Sequence, residues 1–216
     1  MSETGGPPLV GGSSGSYTEV WLASVYDCLD AIAADPGLGA GLRQSLQSLL
    51  QAARDSERAG LGYCLLPVLA CRAAGGDPNL ALPVAAAWRA LHLAAHLLDS
   101  IEDGDGATAM GSPLERSMTR GINVGICLIA MSQLALSQVD AAGDPGLPGW
   151  LQSYFGRVVL CMTSGQDADL GGAATDVGSW LEVAGAKSGS FFALAARAGA
   201  RCATADPLVL VLYDRF

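Results

Sequence analysis

From Pro83 to Leu98 the chain is apolar on almost every side of a helix, and it then runs abruptly into Asp99, Glu102, Asp103 and Asp105. A helix apolar all round has no face for water and must be surrounded by other elements. Pro83 suits a first helical turn, and glycines at 104 and 106 close the segment. What jackets this helix is also helical. Alanine and leucine dominate, and no β-branched run is long enough for a strand. The expectation is an all-α antiparallel helical bundle around a buried central helix.

Periodicity places the other helices. Trp21, Val25, Leu29 and Ile32 form a stripe beginning near Tyr17 and stopping at Asp35-Pro36-Gly37. Further helices are predicted over Leu42–Arg58, Tyr63–Ala74, Pro113–Val139, Trp150–Asp169, Trp180–Ala200 and Asp206–Arg215. Residues 1–16, rich in Gly, Ser and Pro with few apolar side chains, are expected to be a flexible tail, leaving 17–216 as one helical domain. At 216 residues there is room for one substantial core.

The net charge of −9 argues against nucleic acid as a partner, which needs clustered Lys and Arg. Bound cations can nevertheless let an acidic protein hold a diphosphate. The cysteines at 28, 64, 71, 127, 161 and 202 show no CxxC spacing, so neither zinc nor a disulfide framework is expected, and most should be buried apolar side chains. No apolar run is expected to span a membrane, because Pro83–Leu98 carries Arg89, His92 and His96. With no signal peptide visible, the expected location is cytoplasmic.

The carboxylates are the chemical feature. Asp99 and Asp103 are four apart and share a helix face, with Glu102 bordering it. Hard divalent cations such as Mg²⁺ take oxygen ligands, often one or two carboxylates completed by substrate phosphates. A charged end could hold metal and diphosphate, with a hydrocarbon tail lying along the apolar length. A solvated helix end leading into a Gly-rich loop fits the same spacing, although acidic residues at a helix C-terminus are electrostatically disfavoured.

The surrounding words add to this. Leu91-His92, followed by small and apolar residues and then Asp99-Ser100-Ile101-Glu102-Asp103, resembles the first aspartate-rich motif of the trans-isoprenyl diphosphate synthases (polyprenyl synthetases). Gly165-Gln166-Asp167-Ala168-Asp169-Leu170 resembles that family's Gly-Gln-x-x-Asp-Leu. Lys187-Ser188-Gly189-Ser190-Phe191-Phe192 resembles its Lys-Thr-Gly-x-Leu-Phe, and Ala198-Gly199-Ala200 its Leu-Gly-Ala. The motifs occur in the family's order.

The resemblance implies an isoprenoid-synthase bundle and a trans-prenyltransferase that ionises an allylic prenyl diphosphate, adds an acceptor and loses a proton. By this resemblance Asp99, Glu102 and Asp103 would hold Mg²⁺ and Lys187 would contact the diphosphate. Gln166 and Ser188 would face the allylic cation, and Asp169 would support the metal and the lysine. His92 would point toward isopentenyl diphosphate; a satisfied histidine inside a bundle is the alternative, as a surface lysine is for Lys187. Ala95 and Ala94, four and five residues before Asp99, would leave the tail pocket open. Trp88, about 16 Å from Asp99 along the helix, would form its floor and favour fifteen to twenty carbons.

Departures from the pattern are as informative. Ser100 replaces the motif's second aspartate. The family's Gly-Gly-Lys-Arg-x-Arg-Pro corresponds to Leu61-Gly62-Tyr63-Cys64-Leu65-Leu66-Pro67, and its Arg-Arg-Gly-x-Pro to Ala109-Met110-Gly111-Ser112-Pro113. Each lost charge-assisted hydrogen bond is worth about 1.5–3 kcal/mol. No second Asp-Asp-x-x-Asp occurs before the closing Leu212-Tyr213-Asp214-Arg215-Phe216, so the expected bundle lacks its last helices and has a weakened Mg²⁺ site. Two functions follow. One is a prenyltransferase whose acceptor is not isopentenyl diphosphate. The other is a non-catalytic subunit that dimerises with a related synthase and tunes it. Family resemblance implies a homodimer or such a heterodimer.

Overall fold

The structure, a computed structural model, describes residues 14–60, 62–103, 118–141 and 143–215. Residues 1–13 of the expected tail, Leu61, Gly104, Asp105, Gly106, the 109–113 turn and the Pro113 start of a helix lie outside the described residues. The described residues are helical and contain no strand. The helices are α1 Ser14–Ala33, α2 Ala40–Ala59, α3 Leu66–Ala73, α4 Leu82–Glu102, α5 Met118–Leu136, α6 Leu147–Leu170, α7 Val177–Ala184, α8 Ser190–Ala203 and α9 Pro207–Leu210. Short 3₁₀ turns lead into α3 and α4 at Tyr63–Leu65 and Pro78–Ala81, and another follows α9 at Val211–Arg215. The first helix starts at Ser14, inside the stretch expected to be tail.

Helix α4 is the core, as its composition requires. Every residue from Val84 to Leu91 is buried, and α1, α3, α5 and α8 pack around it. Two helical stretches, Pro78–Glu102 and Met118–Leu136, reach the length and hydropathy of a membrane span by composition. For the first, 67% of the apolar window is buried inside the bundle, so its hydropathy is that of a core helix. The cysteines are free thiols and divide evenly: Cys64, Cys71 and Cys202 are buried, whereas Cys28 and Cys127 are half-buried and Cys161 is exposed.

One predicted helix, Trp180–Ala200, takes a form that periodicity did not anticipate. Helices α7 and α8 are one continuous run interrupted by a π-turn over Gly185–Gly189, with Lys187 at its centre. Such turns insert a residue into the helical repeat and shift the side chains that follow. An Asp176–Ser179 capping box starts α7. Helix α6 ends just past Asp169, where Gly172 adopts φ +68° and the Ala173 and Gly172 amides donate to the Ala168 and Asp169 carbonyls at 2.9 Å.

Two glycines set helix separations. A Cβ on Gly199 would overlap the Pro67 carbonyl, which locks α8 against α3. A Cβ on Gly165 would lie 2.6 Å from the Lys187 amide nitrogen, so a glycine there lets α6 approach the π-turn backbone. Both belong to motifs singled out above, and close backbone approach is their physical reason.

The core also contains charge. Arg89 Nη2 lies 3.3 Å from Glu57 Oε1, with side-chain exposures of 9% and 4%. Removing one partner of a buried pair costs about 3–5 kcal/mol, whereas an apolar replacement of both is often neutral. Arg89→Met is therefore expected to lower unfolding free energy by about that amount, with most of it recovered in Arg89→Met/Glu57→Leu, as read from urea denaturation. Gly199→Ala is expected to lose about 1–3 kcal/mol in the same assay through overpacking.

Candidate functional site

A cavity of about 360 Å³ lies where α4, α5, α6 and the π-turn meet. Ala94, Ala95 and Leu98 of α4, Ile129 of α5, and Val159 and Met162 of α6 give it apolar walls. Its rim carries Asp99, Glu102, Gln166, Lys187 and Ser188. Of the sequence candidates, His92, Ala94, Ala95, Asp99, Glu102, Gln166, Lys187 and Ser188 line this one cavity.

Lys187 organises the rim. Its Nζ lies 2.8 Å from Asp99 Oδ1 and 2.8 Å from Asp169 Oδ2, tying α4, α6 and the π-turn together. Burial of the ammonium works against its charge, but the hydrogen bonds to Asp169 and Asp99 outweigh it and raise the pKa well above the usual lysine value. The sign is unambiguous: Lys187 stays a cation across the neutral range, and its contribution is lost only as pH climbs past that raised value. This contact also relieves the cost of placing Asp99 and Asp169 in the last turns of α4 and α6. Gln166 Nε2 donates to Glu102 Oε2 at 2.8 Å, a second link between the same helices.

Asp169 pairs with Lys187 and is not part of the cavity lining. Asp103 stands exposed at the C-cap of α4. The expected metal ligands are all hard oxygen donors. Among the described residues, however, no three His, Cys, Asp or Glu side chains converge as a closed metal site. Such a donor set fits a magnesium ion shared with a ligand's phosphates and does not fit an all-protein cage.

Two features depart from the sequence reading. Trp88, expected as the floor, does not line the cavity. Its indole is fully buried one layer behind, stacked on Phe191 at 4.5 Å, and its Nε1 donates to the Phe191 carbonyl at 2.9 Å. The aromatic shelf facing the cavity is Phe191, Phe192 and His92 instead. The Lys-Ser-Gly-x-Phe-Phe motif contained this signal, since Phe191 follows Lys187 by one helical turn. The contributions of Ile129, Val159 and Met162 had no local signature.

The segment matching the family's first basic clamp carries no cation in the structure. Cys64 is buried and its thiol is pushed up to about 12, chiefly by burial, so it stays neutral. Tyr63 is exposed. His92 lies against Arg89, and burial together with the charges of Arg89 and His96 lowers its pKa to about 4. Among the described residues that line the cavity, Lys187 is the one lysine or arginine.

No protein-family model matches the chain, and no curated protein sequence does. Solved structures do. Geranylgeranyl pyrophosphate synthetase from the archaeon Geoglobus acetivorans superposes with a TM-score of 0.68 at 22% identity, over 92% of this chain and 63% of that one. A polyprenyl synthetase from Streptomyces coelicolor A3(2) gives a TM-score of 0.68 at 19% identity, over 93% and 61% of the two chains. The geranyl diphosphate synthase small subunit from Antirrhinum majus gives 0.65 at 19% identity, over 92% and 79%. The chain thus spans about three fifths of the length of the first two. These likenesses join the four ordered motifs and the all-helical architecture in a single conclusion: the chain has the trans-isoprenyl diphosphate synthase fold.

Proposed function

We propose that the cavity binds an allylic prenyl diphosphate and that the chain is a prenyltransferase of isoprenoid biosynthesis whose acceptor is not isopentenyl diphosphate. The carrying observation is Lys187, held charged by Asp99 and Asp169 at the mouth of an apolar cavity. A ligand with an anionic head and a hydrocarbon tail matches that division of polarity. The diphosphate would take hydrogen bonds from Lys187 as its C–O bond breaks and the electron pair leaves on oxygen. Gln166 and Ser188 face the cation that remains, and the apolar walls exclude water from it. Asp99, Glu102 and Asp103 would hold Mg²⁺ together with the phosphates, and that ion supplies the countercharge that an acidic rim lacks. Tyr63, Cys64 and Leu66 offer a second diphosphate no cation, which favours a different acceptor. The free thiols fit a cytoplasmic setting.

A second reading, a non-catalytic subunit pairing with a related synthase, is favoured by one observation. Ile122 and Ile126, one turn apart on α5, stand 41% and 59% exposed, and Leu160 of α6 73%, apolar side chains available to a partner helix.

Magnesium-dependent release of diphosphate from geranyl, farnesyl and geranylgeranyl diphosphates, without isopentenyl diphosphate, tests the first reading. Release is the expected result. Absence of both release and calorimetric binding overturns it, and co-purification with a full-length synthase then supports the second. Lys187→Met is expected to weaken diphosphate binding about ten- to a hundredfold, the equivalent of one charge-assisted hydrogen bond.

Tail length follows from the shelf. His92 lies two turns below Asp99, about 10 Å along α4. At roughly 1.2 Å per extended bond, that depth accommodates a tail nearer ten carbons than the fifteen to twenty expected with Trp88 as floor. Phe191→Ala is expected to shift preference toward longer tails in competition assays, while Trp88→Phe leaves it in place.

A further inference from the structure

A buried polar network lies beside the cavity, joined to it through His92. Arg89 Nη1 is 2.9 Å from His92 Nδ1, Arg89 Nε donates to the Tyr26 hydroxyl at 3.1 Å, and Arg89 Nη2 pairs with Glu57. Tyr26 comes from α1, Glu57 from α2 and Arg89 from α4, and all three are buried. These contacts to three helices fix the plane of the guanidinium. A guanidinium has only donors, so His92 Nδ1 must be the acceptor. The proton of the neutral ring then sits on Nε2, at the other edge of a ring that lines the cavity.

We infer that Arg89 is a positioning residue: by donating to Nδ1 it holds His92 in the Nε2–H tautomer, a fixed and uncharged hydrogen-bond donor on the cavity wall. The groups around the ring agree with this. Trp88 and Phe191 cover it at centroid distances of 5.6 and 5.3 Å. Arg89 and His96 on α4, together with burial, oppose a second proton. Glu57 is turned toward Arg89, and Lys187 across the cavity is a cation engaged with Asp99 and Asp169. The assignment deepens the proposed function and rests on that reading only for what the donor meets. A neutral N–H adds no countercharge for a second diphosphate, but it orients an acceptor oxygen of whatever shares the cavity with the prenyl chain.

The chain has two histidines, so ring nitrogens can be read by long-range ¹H–¹⁵N correlation in the ligand-free protein, with His96→Gln supplying the assignment. In the unaltered chain at neutral pH, His92 is expected to show an unprotonated Nδ1 and a protonated Nε2. In Arg89→Met/Glu57→Leu, which removes the pair without stranding a charge, the two nitrogen shifts are expected to converge as tautomers mix. The titration midpoint of His92 should also rise toward the ordinary histidine range. A protonated Nδ1 or averaged tautomers in the unaltered chain overturn the inference whether or not the variant folds, as do unaltered shifts in the double variant. Because no ligand is present, failure to bind a prenyl diphosphate leaves this result standing.

Discussion

Through its first half helix α4 has no face to give to water, and the rest of the molecule is arranged around that constraint. Its residues from Val84 to Leu91 are buried on all sides, which requires helices on several flanks. The arrangement can come very close where side chains are small. Gly199 lets α8 press against the Pro67 carbonyl of α3, and Gly165 does the same for α6 against the backbone of Lys187. The same sheathing brings three chain segments to the C-terminal end of α4, where the carboxylates emerge. Packing thus determines where the polar chemistry is exposed.

The polar chemistry has two layers of different character. At the rim, Lys187 compensates Asp99 and Asp169 in a half-exposed setting, where charges can exchange partners with an incoming anion. Deeper, Arg89 and Glu57 neutralise each other in the core with side-chain exposures below 10%, where exchange would strand a buried charge. The first layer suits binding and release. The second suits holding a neighbouring ring in one orientation, and His92 is that neighbour. The apolar cavity carries Phe191 and Phe192 on its wall and touches both layers, Lys187 lining it at the rim and His92 linking it to Arg89.

Much of the fold was legible in the sequence. Stripes such as Trp21, Val25, Leu29 and Ile32 located their helices within a few residues, because the alternation of buried and exposed positions is a one-dimensional record of packing. Part of the site was legible too, since Asp99, Gln166 and Lys187 sit in recognisable local words and do meet across one cavity. The errors had a common origin. Counting along α4 alone puts Trp88 at the floor, yet a ring from α8 stacks over it and lines the cavity in its place. Whether the apolar length of Pro78–Glu102 is a core helix or a membrane span depends likewise on how many neighbours cover it.

The sequence by itself determined the helical class, the buried helix, its charged end and the order of the motifs, because all of these depend on residues within a few turns of one another. Only the tertiary structure decided that Lys187 bridges Asp99 and Asp169, that a π-turn presents it, and that Arg89 spans Tyr26, Glu57 and His92. Those partners are separated by up to 88 positions in the chain. No local periodicity encodes a distance between helices; it is set by the volumes that pack between them.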